Sequence, residues 1–175
     1  MKATFITGGS RSGKSSFAVT QAMENGTKHA YIATAQALDR EMELRIEKHK
    51  KERSTHFDTI EEPILLSHAI SNAATLYDII VVDCLTLWLS NLMMMDKKDI
   101  LEKEFAHLIS TITNIKKQTN LYVVSNEVGM GIVPDNALAR LFRDNAGILN
   151  QQVASVSDEV YFMVSGLPLL VKKKE

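Results

Sequence analysis

A chain of 175 residues with 45% apolar and 23% charged side chains can bury a core of its own, and its size suits a single domain spanning 1–175. Its 20 basic and 21 acidic residues leave a net charge of −1, which excludes the overall basic field of a nucleic-acid binder. The apolar runs break at Asp83, Ser90 and Asp96, short of the roughly 20 residues of a membrane span. The apolar stretch near Met1 is too short for a secretory signal, and one cysteine, Cys84, excludes an internal disulfide, so a soluble, cytoplasmic protein is expected.

Along the chain, Ala3 to Thr7 is a short apolar run that predicts a buried strand. A Gly-rich turn follows, then a helical stretch from Lys14 to about Glu24, stopped by Asn25-Gly26. His29 to Thr34 reads as a second strand. Asp39 to Arg53 is rich in helix formers, and its only apolar pair at helical spacing is Met42 and Ile46, which predicts a mostly solvated helix. Glu62-Pro63 predicts a helix start, with the helix running to about Ala74. Asp78 to Asp83 is a β-branched strand ending in a carboxylate. A long helix over Asp96–Gln118, a strand over Leu121–Ser125 and a helix from Asn136 to about Ser155 come next. Val160–Val164 and Leu169–Lys172 close the chain as strands around a Ser165-Gly166 turn. Strands alternating with helices predict an α/β fold on a mainly parallel central sheet, with an antiparallel hairpin at the C-terminal end. The Met93-Met94-Met95 run fits an exposed interface, a core segment or a loop equally well.

Gly8, Gly9, Ser10, Arg11, Ser12, Gly13, Lys14 and Ser15 fit the phosphate-loop pattern G-x-x-x-x-G-K-[ST] at every fixed position, between a strand and a helix. Glycines let the backbone turn tightly and aim its N–H groups at phosphate oxygens, and the helix adds the positive end of its dipole. Lys14 supplies a point charge for the β- and γ-phosphates, and the Ser15 hydroxyl suits Mg2+. Charge-assisted bonds of this kind are worth about 1.5–3 kcal/mol each. Asp83 ends an apolar strand, where a phosphate-loop protein places the carboxylate that holds Mg2+ or its water.

On a helix, Arg45, His49 and Arg53 share one face. Two guanidinium groups favour the neutral imidazole, whose free ring nitrogen is a nucleophile, and they attract a triphosphate. Read alone, His49 fits better as a surface histidine on a charged helix. His29, His56, His68 and His107 have no partner at metal-ligand spacing.

Several stretches together resemble one family. They are the phosphate loop, Tyr31-Ile-Ala-Thr-Ala35, Asp39-Arg-Glu-Met42 with Arg45-Ile46 and His49, and Asp83-Cys-Leu-Thr86 with Ser90-Asn-Leu92. Further along come Ser125-Asn-Glu-Val-Gly-Met-Gly-Ile-Val-Pro134, Ala139-Arg140, Phe142-Arg-Asp-Asn-Ala-Gly147 with Asn150-Gln151, and Ser165-Gly166. The chain resembles the bifunctional adenosylcobinamide kinases / adenosylcobinamide-phosphate guanylyltransferases over nearly its whole length. The resemblance implies a RecA-like P-loop NTPase domain with helices on both faces of the sheet, and a homotrimer. It implies phosphorylation of adenosylcobinamide by ATP or GTP. A histidine, here His49, then attacks the α-phosphorus of GTP and passes GMP to the phosphorylated corrinoid. By the same resemblance the nucleotide contacts are the phosphate loop, Ala33, Thr34, Ala35, Lys50, Lys51, Glu52, Arg53, Glu61 and Asp83, with Ser15 and Asp83 on Mg2+. Glu61 adjoins Glu62, so a slip of one residue is open. Two other readings remain at this point: a simple P-loop kinase of a small metabolite with His49 structural, and a nucleotide-switched regulatory module with no covalent step.

Overall fold

The computed structural model describes the backbone of residues 1–37, 40–52, 56–95 and 99–174; the side chains of Arg45 and of residues 48–52 lie outside the description. The elements in chain order are β1 (Ala3–Gly8), α1 (Lys14–Met23), β2 (His29–Ala33), α2 (Arg40–Glu52), β3 (Phe57–Glu61), α3 (Leu66–Ala73) and β4 (Ile79–Asp83). They continue with α4 (Leu85–Met93), α5 (Ile100–Ile115), β5 (Asn120–Val124), α6 (Ala137–Val156), β6 (Glu159–Val164) and β7 (Leu167–Lys173). Among the described residues the strands form one seven-stranded sheet in the order β3-β2-β4-β5-β1-β6-β7. Every pairing is parallel except β6 with β7, which is antiparallel, as the closing Ser165-Gly166 turn predicts.

The unbroken apolar run Ile79-Ile-Val-Val82 is what a parallel strand buried on both faces requires. Alternation along the strands then divides the core. Phe5, Ile32, Ile80, Val82, Leu121 and Val123 face a layer built by α3, α4, α5 and α6. Ile6, Tyr31, Ile79, Val81, Tyr122 and Val124 face α1, whose Ala18 and Ala22 let the helix approach closely. Helices therefore cover both faces. The Trp88 indole is fully buried and its N–H donates to the Ile64 carbonyl at 2.8 Å, which fixes α4 against the segment before α3. Burying a side chain of this size contributes about 1.5–3 kcal/mol.

Several boundaries differ from the sequence reading. Strand β3 has no alternation to reveal it: only Phe57 is buried, because the strand lies at the sheet edge. Helix α3 starts at Leu66 rather than at Glu62-Pro63. The Glu62 carboxylate instead accepts from the Ile64 and Leu65 backbone N–H groups at 2.9 and 2.8 Å, so that stretch is a capped turn. Helix α4 buries Leu85, Trp88, Leu89 and Leu92, an i, i+3, i+4, i+7 stripe that the apolar run conceals. Helix α5 begins at Ile100, after Asp99 in the left-handed region at φ 63°, and ends at Ile115, where Gln118 and Thr119 N–H groups close onto its carbonyl. The proposed start at Asp96 lies outside the described residues. Of the methionine run only Met94 is exposed, while Met93 and Met95 pack against the core.

Helix α6 begins where Asn136 accepts from the Leu138 and Ala139 N–H groups at 2.8 and 3.1 Å. At its other end Lys172 donates to the Ala154 and Ser155 carbonyls and Lys116 to that of Val156, so cations sit on the negative end of the helix dipole. No helix among the described residues is long and apolar enough to cross a membrane.

Candidate functional site

The strand registers place Ala33 opposite both Glu61 and Asp83, Asp83 opposite Val124, and Val124 opposite Ile6. The carboxyl ends of the parallel strands thus open along one edge, where an α/β sheet presents its loops to a ligand. A cavity of about 460 Å³ lies there. Its floor is the phosphate loop, with Ser10, Arg11, Ser12, Gly13, Lys14 and Ser15 all lining it. Asp83 and Cys84 line it from the end of β4, Leu87 from α4, Val124 and Asn126 from the end of β5, and Met42 and Ile46 from α2. The half-buried Met42 and Ile46 are the one apolar pair of a mostly solvated helix, so they mark the face that α2 turns inward.

The loop conformation depends on glycine. Gly8 and Gly13 have φ of 146° and 91°, and a Cβ on Gly8 would lie 2.6 Å from the Met163 carbonyl oxygen. The Gly166 N–H donates to the Ser12 carbonyl at 3.1 Å, which ties the phosphate loop to the β6–β7 turn. Lys14 is only 6% exposed, and its Nζ donates to the Gly9 carbonyl at 2.5 Å. Burial lowers its pKa, with acidic neighbours including Asp83 pulling partly the other way. An anion in the cavity would favour the charged form of this buried ammonium.

Asp83 is held from two sides. The Tyr31 hydroxyl donates to Asp83 Oδ2 at 2.5 Å. Behind it, Thr34 Oγ1 donates to the Cys84 carbonyl at 2.7 Å and accepts from the Cys84 N–H at 2.9 Å. Thr34 is fully buried, and its own carbonyl accepts from Asn91 at 2.8 Å. Of the Ala33-Thr34-Ala35 segment, Ala35 alone is among the cavity walls; Thr34 shapes the end of β4. Burial pushes the Cys84 thiol up to about 12, so it is a neutral wall rather than a nucleophile. Asp83 and Ser15 bring hard oxygen donors into one cavity, the donor set Mg2+ takes when phosphates and waters complete its shell. Among the described residues no group of three His, Cys, Asp or Glu forms a metal cluster of its own.

Glu61 ends β3 exposed, two strands away from Asp83, and Glu62 is committed to the turn before α3. The backbone of α2 includes His49, Lys50, Lys51 and Glu52, whose side chains lie outside the description; Arg53 lies wholly outside it.

Asn126 was not singled out on its own in the sequence. Its N–H donates to Thr86 Oγ1 at 2.7 Å, its carbonyl accepts from Asn150 at 3.1 Å, and the next N–H, of Glu127, donates to the Gly8 carbonyl at 3.0 Å. The available signal is its place just past a buried parallel strand, after Ser125. Beyond it, Arg143 donates to the Gly129 carbonyl and Arg140 to those of Pro134 and Asp135, so α6 grips a loop that starts at the cavity.

Two solved structures share the fold. The RadB recombinase aligns with a TM-score of 0.57 at 15% identity over 92% of this chain and 73% of that one. A solved ATPase domain aligns with a TM-score of 0.57 at 10% identity over 99% of this chain and 78% of that one. In sequence, the chain is 42% identical over 167 residues to the bifunctional adenosylcobalamin biosynthesis protein CobP of Pseudomonas aeruginosa, covering 95% of each. It is 37% identical over 178 aligned positions to the bifunctional adenosylcobalamin biosynthesis protein CobU of Escherichia coli K12, covering 95% of this chain and 98% of that one. The family model for cobinamide kinase / cobinamide phosphate guanyltransferase matches residues 4–171, and with a phosphate loop, an opposing strand-end carboxylate and this fold in place, the chain belongs to that family.

Proposed function

We propose that one cavity serves a bifunctional adenosylcobinamide kinase and adenosylcobinamide-phosphate guanylyltransferase, with ATP or GTP as phosphoryl donor and GTP as guanylyl donor. The observation that carries this reading is convergence. Lys14, Ser15 and Asp83 line the same cavity as Met42 and Ile46 of α2, and His49 follows Ile46 by one helical turn in the backbone of that helix.

In this reading the phosphate-loop N–H groups and Lys14 hold the β- and γ-phosphates. Mg2+ on Ser15 and Asp83 would neutralise charge on the phosphate chain. In the kinase step the γ-phosphoryl group passes to the hydroxyl oxygen of the aminopropanol arm; a new P–O bond forms, the bond to ADP or GDP breaks, and the hydroxyl proton is released. In the transfer step a ring nitrogen of His49 attacks the α-phosphorus of GTP; a P–N bond forms and the bond to pyrophosphate breaks. A phosphate oxygen of adenosylcobinamide phosphate then displaces the histidine, giving adenosylcobinamide-GDP. Lys50, Lys51 and Arg53 supply positive charge beside the reacting phosphorus, and Glu61 accepts from the guanine ring N–H and amino group. A cytoplasmic homotrimer is part of the proposal. Product analysis tests it. With cobinamide as acceptor, γ-labelled ATP or GTP should label cobinamide phosphate, and α-labelled GTP should label cobinamide-GDP with release of pyrophosphate. Transfer of γ-label alone would reduce the protein to a simple kinase, and bound GTP with no transfer would make it a nucleotide-switched module.

A further inference from the structure

Tyr31 is a large aromatic side chain with 2% exposure on the α1 face of the sheet, edge-on to Phe57 with ring centroids 6.2 Å apart. Its ring satisfies the core. Its hydroxyl reaches out of that apolar cluster to Asp83 Oδ2, at 2.5 Å. β2 and β4 pair in parallel with Ala33 opposite Asp83, so Tyr31 sits one side-chain step back from the strand end on the same face. The bond therefore meets the carboxylate from below the cavity, while Asp83 itself lines the cavity wall. A short O–H···O⁻ bond is among the stronger hydrogen bonds and is directional. It fixes the rotation of the carboxylate about its last torsion, a broad two-fold rotor when left alone. It engages Oδ2, one of the two oxygens of a carboxylate that lines the cavity.

We infer that Tyr31 is a positioning residue for metal-assisted nucleotide binding: its buried hydroxyl orients the Asp83 carboxylate toward the metal. The inference rests on the proposed role of Asp83. Outer partners of this kind typically carry a tenfold or larger effect on metal affinity.

Tyr31→Phe keeps the ring and its packing and removes the one oxygen. The test is calorimetric binding of α,β-methylene-GTP, which cannot be cleaved at the reacting bond, in EDTA and in saturating Mg2+, to wild type, Tyr31→Phe and Asp83→Asn, with thermal unfolding recorded for each. The expected result is a metal-dependent gain in wild-type affinity that Tyr31→Phe lowers by about tenfold, with affinity in EDTA unchanged. Equal loss in EDTA and in Mg2+ would assign Tyr31 to packing of the pocket and overturn the inference. A gain that Asp83→Asn abolishes and Tyr31→Phe preserves or increases would overturn it too, leaving the role of Asp83 intact. No metal-dependent gain in wild type would overturn both.

Discussion

At the scale of single residues, the hydrogen bonds that hold the strand ends are also those that set the response to acid. Asp158, just before β6, accepts from the Ala3 N–H at 2.9 Å and from Lys116 Nζ at 2.9 Å. Burial alone would raise its pKa, but these bonds and the nearby ammonium groups outweigh it and hold the carboxyl below its ordinary 3.8. A depressed folded pKa contributes stability that is complete above the unfolded value and is lost as pH falls through the folded one. Asp158→Asn should therefore be less stable than wild type at neutral pH by about 1–2 kcal/mol, read as a lower unfolding temperature. The gap should close as pH drops below the ordinary aspartate range. A gap that is constant with pH would mean that the charge is not what the fold uses. A comparable double use appears at Thr34, whose one hydroxyl satisfies both the N–H and the carbonyl of Cys84. The family resemblance marks Thr34 as part of a nucleotide segment; the fold turns its hydroxyl to Cys84, just past the end of β4.

Among the elements, α6 links the cavity to the far end of the molecule. It grips the 126–135 loop through Arg140, Arg143 and Asn150, and its C-terminal end is capped by Lys116 and Lys172. Asn136 starts it by accepting two otherwise unpaired N–H groups. Asn136→Ala should cost about 1 kcal/mol, seen as a lower denaturant midpoint with unchanged slope, whereas Asn136→Gly should cost a few tenths. Equal losses in both variants would point to the loop rather than the cap. The capping contacts come from the fold, but the start of this helix at Asn136 was legible in the sequence. The start of α3 was not, because Glu62-Pro63 signals a helix N-terminus and a capped turn alike, and only the carboxylate's contacts with Ile64 and Leu65 decide. Strand β3 escaped for a related reason: an edge strand with one buried residue carries no period.

For the molecule as a whole, the parallel sheet followed from alternating elements, its two helical layers from the family resemblance, and the phosphate loop from a pattern with a direct physical purpose. Asp83 was legible as a strand-terminal carboxylate, yet its hold by Tyr31 depends on the pairing of β2 with β4, which no local pattern encodes. Asn126 lies within a segment the sequence marks, and its place on the cavity wall follows from β5 lying between β4 and β1. The fold brings the phosphate loop, Asp83 and the inward face of α2 to one cavity, and the catalytic proposal adds His49 on that helix. Incubation of the protein with α-labelled GTP and Mg2+, followed by denaturation, tests this most directly. The account predicts label on the protein that survives base, is lost in acid and disappears in His49→Ala. Intact wild-type protein without label, or equal labelling of His49→Ala, would contradict it.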